Sequence, residues 1–136
     1  MSARDVALVA AAVEARSQAH APYSRFPVGA ALLAEDGRVF QGCNVEISSF
    51  SLTCCAERVA VFKAVSEGCK RFVAVAVVTD TSPPATPCGA CRQVLHDFGG
   101  PDLRVLIGGP DGAVIEIHAL GDLLPRAFTG ADLLNR

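Results

Sequence analysis

The chain lacks any excess of basic residues. Twelve Lys and Arg stand against 14 Asp and Glu, giving a formal net charge of -2 and a pI of about 5.9. A protein devoted to nucleic-acid backbones would show the opposite balance, so no nucleic acid is expected as partner. No apolar run reaches the length of a membrane span, so no membrane partner is expected either. The first twenty residues carry acids at Asp5 and Glu14. They lack the unbroken apolar stretch and cleavage site of an export signal, and a cytoplasmic protein is expected. Repeats, low-complexity tracts and linkers are missing too. What remains is core-forming material: 51% hydrophobic and 19% charged residues in a chain of 136. That length suits one domain, expected over residues 1–136.

Hydrophobic period and turn chemistry divide the chain. Residues 3–19 predict a helix with Val6, Val9, Ala10 and Val13 on one face. Val28–Ala34 and Val39–Asn44 predict two strands joined by a hairpin turn at Glu35-Asp36-Gly37. After a loop over 45–54, residues 55–68 are helical, with Val59, Val61, Phe62 and Val65 as apolar positions. Phe72–Thr79 is a continuous apolar run, the pattern of a strand covered on both faces. Residues 88–98 return to helix. Leu103–Ile107 and Ala113–His118 read as strands, and 120–124 and 131–135 as short terminal helices. Two opening strands followed by alternating helix and strand predict an α/β fold, a sandwich around a mixed five-stranded sheet.

Six cysteines are many for this length. Without an export signal, metal binding or redox chemistry is the better expectation than disulfides. Cys55-Ala56-Glu57-Arg58 opens one predicted helix and Pro87-Cys88-Gly89-Ala90-Cys91 opens another. In a parallel arrangement the two helix starts would lie side by side, and the Cys55, Cys88 and Cys91 thiolates could converge on one ion. Zinc accepts three such ligands and keeps a fourth position for water, which then ionises near neutral pH. Glu57 is placed to relay protons beside that water. Three thiolates leave surplus negative charge on the centre; two helix N-termini, Arg58 and Arg92 could offset it. Other readings stay open at this point. One is a structural four-cysteine site completed by Cys54 or Cys43. Another is a CxxC thiol oxidoreductase with a reactive, low-pKa thiol. Cys43, Cys54 and Cys69 read as small buried apolar residues.

Together these segments resemble a known family. The C-A-E and P-C-x-x-C pair is the signature of zinc nucleobase and nucleoside deaminases, with the glutamate as acid/base. Cysteine at the first ligand position resembles the small homotetrameric cytidine deaminases. The likeness runs through Tyr23-Ser24-Arg25-Phe26-Pro27-Val28-Gly29, Gly42-Cys43-Asn44-Val45-Glu46, both cysteine segments and Leu123-Leu124-Pro125 with Phe128. It implies a three-layer αβα sandwich and one zinc per subunit on Cys55, Cys88 and Cys91. It implies proton transfer by Glu57, a sulfur hydrogen bond from Arg58 and an Ala56 N–H on a pyrimidine oxygen. Asn44 and Glu46 would hold ribose hydroxyls, Phe26 would pack on the base, and Phe128 would enter a neighbouring subunit's site.

The implied activity is hydrolysis of cytidine and 2'-deoxycytidine to the uridine forms and ammonia, in pyrimidine salvage, by a cytoplasmic homotetramer. A modified cytosine nucleoside is the rival substrate. The Asn-x-Glu segment departs from the family's usual continuation. Here it runs Ile47-Ser48-Ser49-Phe50, which removes an amide and a hydroxyl near the ribose and subunit contacts.

Overall fold

The computed structural model describes residues 2–135. Helix α1 (Ala3–Arg16) starts from a reciprocal cap: the Ser2 hydroxyl accepts from Asp5 N–H, and the Asp5 carboxylate accepts from Ser2 N–H. Strands β1 (Gly29–Ala34) and β2 (Val39–Cys43) form the hairpin, with Gly37 at φ +95° in the turn. Then follow α2 (Ala56–Ser66), β3 (Phe72–Val78), α3 (Gly89–Gly99), β4 (Arg104–Gly108), β5 (Val114–Ala119) and two short helices, α4 (Leu120–Leu123) and α5 (Gly130–Leu134).

The sheet order is β2-β1-β3-β4-β5. Only β3 and β4 run parallel; the other neighbours are antiparallel. The mixed five-stranded sheet is therefore as expected. Its two faces bury separate clusters. Leu8, Val9 and Ala12 of α1 pack on Ala31, Leu33, Ala76 and Leu106. Ala60, Val61 and Ala64 of α2 and Leu95 of α3 pack on Leu32, Val75, Val77 and Ile107. One helix on one face and two on the other make the three-layer sandwich. Among the described residues no helix is long and apolar enough to cross a membrane.

On two helices the buried face differs from the set of apolar positions named above. Helix α1 buries Asp5, Leu8, Val9, Ala12 and Ala15, whereas Val6 is exposed. The reason is proximity. A Cβ at Gly29 would meet the Ala12 carbonyl oxygen at 2.0 Å, so the helix backbone nearly touches β1 there and turns the Leu8, Val9 and Ala12 side to the sheet. Likewise α2 buries Ala56, Ala60, Val61 and Ala64 while Phe62 lies exposed. Close approach, rather than side-chain bulk, selects the inward face.

Candidate functional site

Because β3 and β4 are parallel, the helices leading into them, α2 and α3, start at the same edge of the sheet. Cys55 is the N-cap of α2 and Cys88 the N-cap of α3, both in extended backbone conformation. Cys91 sits in the first turn of α3 and is buried. The sulfurs of Cys55 and Cys88 are 3.9 Å apart, and those of Cys88 and Cys91 3.4 Å. All three lie within 4.8 Å of one another, the one such ligand group among the described residues.

The surroundings favour ionised sulfur. The Arg58 Nη2 donates to the Cys55 sulfur at 3.4 Å. The Arg58 Nε is buried without a partner, a donor in reserve for a sulfur that gives up its proton. The proton shared with Cys91, then the Arg58 guanidinium, hold the Cys55 thiol down to about 5. The same shared proton pushes Cys91 upward. Three converging sulfurs at two helix N-termini, with a guanidinium beside them, are a donor set that fits zinc.

Arg92 behaves differently from the expectation. Its guanidinium donates to the carbonyls of Pro87 and Leu123, both at 2.7 Å, and to Thr86 Oγ1 at 2.8 Å. It braces the loop before Cys88 and makes no sulfur contact. The expected burial of free cysteines holds for Cys69 only; Cys43 and Cys54 are half-buried.

Glu57 is 4% exposed and is not one of the clustered ligands. Burial pushes its carboxyl up to about 7, where it can both take and give a proton near neutrality. It opens on a cavity of about 310 Å³ lined also by Phe26, Asn44, Glu46, Ala56 and Cys88. That volume is in the range of small-molecule sites. A wider cleft of about 370 Å³ beside the β1–β2 turn, lined by Asp36, Arg38 and Lys70, has none of these groups.

Asn44 and Glu46 are already engaged. The Asn44 amide donates to Phe26 O at 2.8 Å and accepts from Val28 N–H at 2.9 Å. Glu46 Oε1 accepts from the N–H groups of Tyr23 (3.0 Å) and Ser24 (3.1 Å), and Oε2 from the Ser24 hydroxyl. These bonds, the Ser24 hydroxyl first, hold the Glu46 carboxyl below its usual range. The two side chains thus bind the segment 23–28, whose Ser24, Phe26 and Val28 line the cavity. Each keeps unused capacity toward the cavity, one amide hydrogen on Asn44 and a carboxylate lone pair on Glu46.

Phe128 does not line this cavity; it is exposed, and its carbonyl accepts from Gln93 Nε2 at 2.7 Å. Among the departures, Phe50 reaches the cavity rim, and Ile47 N–H donates to Thr53 Oγ1 at 3.1 Å. Sequence reasoning missed Ser24 and Thr86 as cavity-lining residues. Ser24 lies inside the Tyr23–Gly29 segment, so its place there was the available signal.

The family model for the cytidine and deoxycytidylate deaminase zinc-binding region matches residues 2–107. A cytidine deaminase of Sporosarcina psychrophila is 53% identical over 93% of this chain and 92% of its own. One from Halalkalibacterium halodurans is 52% identical over 93% of this chain and 95% of its own. The crystal structure of cytidine deaminase from Burkholderia pseudomallei superposes with a TM-score of 0.86 at 50% identity, covering 94% of this chain and 100% of that one.

Proposed function

The chain belongs to the cytidine and deoxycytidylate deaminase family, and we propose from that premise that it hydrolyses cytidine and 2'-deoxycytidine to the uridine forms and ammonia. The observation that carries the reading is the convergence of three thiols, two of which line one cavity together with a buried carboxyl. Zinc is the implied cofactor, and Cys55, Cys88 and Cys91 would hold it. When bound, the metal supplies Lewis acidity that lets a water ionise near pH 7.

The chain's own groups account for the rest. Glu57 would take one proton of the attacking water and deliver it to N3 of the pyrimidine, then take the remaining hydroxyl proton after attack on C4 and pass it to the departing amine. Its elevated proton affinity suits that two-way traffic. The Ala56 N–H, free at the first turn of α2, would hold the pyrimidine oxygen. Phe26 would cover the base, and Asn44 and Glu46 would use their remaining hydrogen-bonding capacity on ribose hydroxyls. Arg58 would hold Cys55 as a thiolate, the geometry it already has.

The same reading extends to the whole chain as one catalytic domain, to pyrimidine salvage in the cytoplasm and to a homotetramer. Support for assembly comes from exposed Phe50, Leu52 and Phe62, and from Phe128, which is exposed and outside its own chain's cavity. Phe128 would close a neighbour's site.

The deciding experiment is release of uridine and ammonia from cytidine by zinc-replete protein, repeated with Glu57→Ala. Wild-type turnover that is lost in the variant, with zinc content unchanged, is the expected result. Activity surviving the substitution would overturn the role of Glu57. Zinc-loaded wild type that leaves cytidine and deoxycytidine untouched would overturn the substrate assignment.

A further inference from the structure

We propose that Ser24 is a positioning residue that couples the two walls of the nucleoside cavity, its single hydroxyl tying the Glu46 carboxylate to the main chain of Phe26. The inference rests on the nucleoside reading given above for Glu46 and Phe26.

Residues 21–28 contain no helix or strand. They are clipped at both ends to the chain after β2. His20 N–H donates to Asn44 O at 2.9 Å and Glu46 N–H to His20 O at 2.8 Å, while Asn44 grips Phe26 and Val28 through its side chain. Between the clips, Arg25 N–H donates to Ala21 O at 3.0 Å and the Tyr23 and Ser24 N–H groups donate to Glu46, but the link from Glu46 on to Phe26 runs through the Ser24 side chain. Its hydroxyl donates to Glu46 Oε2 and accepts from Phe26 N–H at 3.1 Å. Arg25, between them, has φ 55°, a left-handed conformation that a residue with a Cβ adopts only when its neighbours hold it there. Ser24, Phe26 and Glu46 all line the cavity.

Removing the hydroxyl would leave the Phe26 N–H unpaired and take one of three donors from Glu46, leaving the left-handed Arg25 held on its N-terminal side alone, by Ala21 O. Phe26 and Glu46 would then sample positions off the cavity. The helices bearing Cys55, Glu57, Cys88 and Cys91 make no hydrogen bond to Ser24, so the loss would fall on binding and spare the chemical step.

The test is Ser24→Ala with cytidine as substrate, alongside Ser24→Thr and the pair Glu46→Gln and Ser24→Ala/Glu46→Gln. KM is expected to rise about tenfold with kcat within about twofold of wild type. Thr should restore KM because it keeps the hydroxyl, and Ser24→Ala should add little once Glu46 is Gln. A purely structural serine would give an additive penalty in the double variant. An unchanged KM, a kcat that falls as far as KM rises, failure of Thr to restore binding, or additivity would each overturn the proposal. Amide hydrogen exchange supplies a readout independent of turnover: Ser24→Ala should lose protection at Tyr23–Phe26 and keep it in α2 and α3. Unchanged protection at Tyr23–Phe26 would also overturn it. Failure of wild type to deaminate cytidine would strike the functional reading alone, with exchange still deciding the role of Ser24.

Discussion

Replacing Gly42 with Ala tests how the sheet positions the site. Gly42 lies on β2 beneath the first turns of α2. An added Cβ would stand 2.4 Å from the Ala56 carbonyl oxygen, 2.6 Å from the Ala60 nitrogen and 3.0 Å from the Ala60 Cβ. Two of these are backbone atoms and cannot rotate aside. Relief requires α2 to move by about 1 Å to reach ordinary contact distance. Two effects compete. Ala restricts the unfolded chain and so favours folding by about 0.4–1 kcal/mol. Overpacking a closed contact costs about 1–3 kcal/mol, and a backbone clash belongs at the upper end. The clash wins by about 2 kcal/mol, which for a domain of this size lowers Tm by about 8 °C. The same movement carries Cys55 and Glu57 away from Cys88 and Cys91. Metal–ligand distances tolerate only about 0.2 Å, so zinc retention should fall with stability. Calorimetry and zinc titration against a competing chelator measure both. Gly130→Ala, where an added Cβ meets nothing within 4 Å, is the control. A Gly42→Ala protein that melts within about 2 °C of wild type and holds zinc as tightly would refute the reasoning.

Arg92→Ala should cost about 2–4 kcal/mol in thermal or denaturant unfolding, because two carbonyls and the Thr86 hydroxyl lose a charged donor. Arg92→Lys should recover little of it, since one ammonium cannot replace a three-way fork. Arg58→Ala should weaken zinc retention about 10–100-fold in chelator competition, by leaving the Cys55 sulfur without its guanidinium donor. Asp5 provides a pH test. The Arg104 guanidinium, at 2.7 and 2.8 Å, holds its carboxyl down to about 2 from 3.8. A depressed carboxylate stabilises the fold above its unfolded pKa, and that stability drains away as pH falls from about 4 to 2. The Arg104 side chain is 47% exposed, so screening reduces the contribution to about 1 kcal/mol. The stability gap between wild type and Arg104→Gln should therefore be widest above pH 5 and close toward pH 2. A gap independent of pH would refute the pairing.

The parts of this fold that were legible in the sequence are those set by local pattern. The β3 run is apolar because it is covered on both faces, and all but Val73 of Phe72–Val78 is buried. The hairpin announces itself through Asp36-Gly37. The helices that follow Cys55 and Cys88 were visible through their helical apolar pattern. The parts that were not legible depend on how closely elements approach. Nothing in the α1 sequence says that Gly29 lets the helix backbone down onto β1, so the exposure of Val6 could not be read from it. The arginines show the same limit at the site. Arg58 stands three residues after Cys55, one turn along the same face, and reaches its sulfur. Arg92 directly follows Cys91, about 100° around the helix, and points to the Pro87 carbonyl instead. Asn44 and Glu46 were legible as polar groups at a strand end. That they hold Phe26, Val28 and Ser24 in place is a tertiary fact.

Collecting three sulfurs and a carboxyl at one point raises the question of why the fold tolerates it. Three thiolates on a divalent ion leave about one negative charge. Against it stand the N-termini of α2 and α3, worth about half a positive charge each, and the full charge of Arg58. The balance before Glu57 is counted is about one positive charge, so an ionised Glu57 would bring the site close to neutral. Repulsion from the sulfurs is then a minor influence on the carboxyl, and loss of water the major one. In the metal-free chain burial is likewise the largest upward influence on Glu57, ahead of Cys55, while Arg58 pulls the other way. The proton relay proposed for Glu57 would therefore depend on its burial more than on any single charged neighbour. That places the weight of the tuning on the packing of α2 against β2, where Gly42 admits Ala56 and Ala60 at backbone contact.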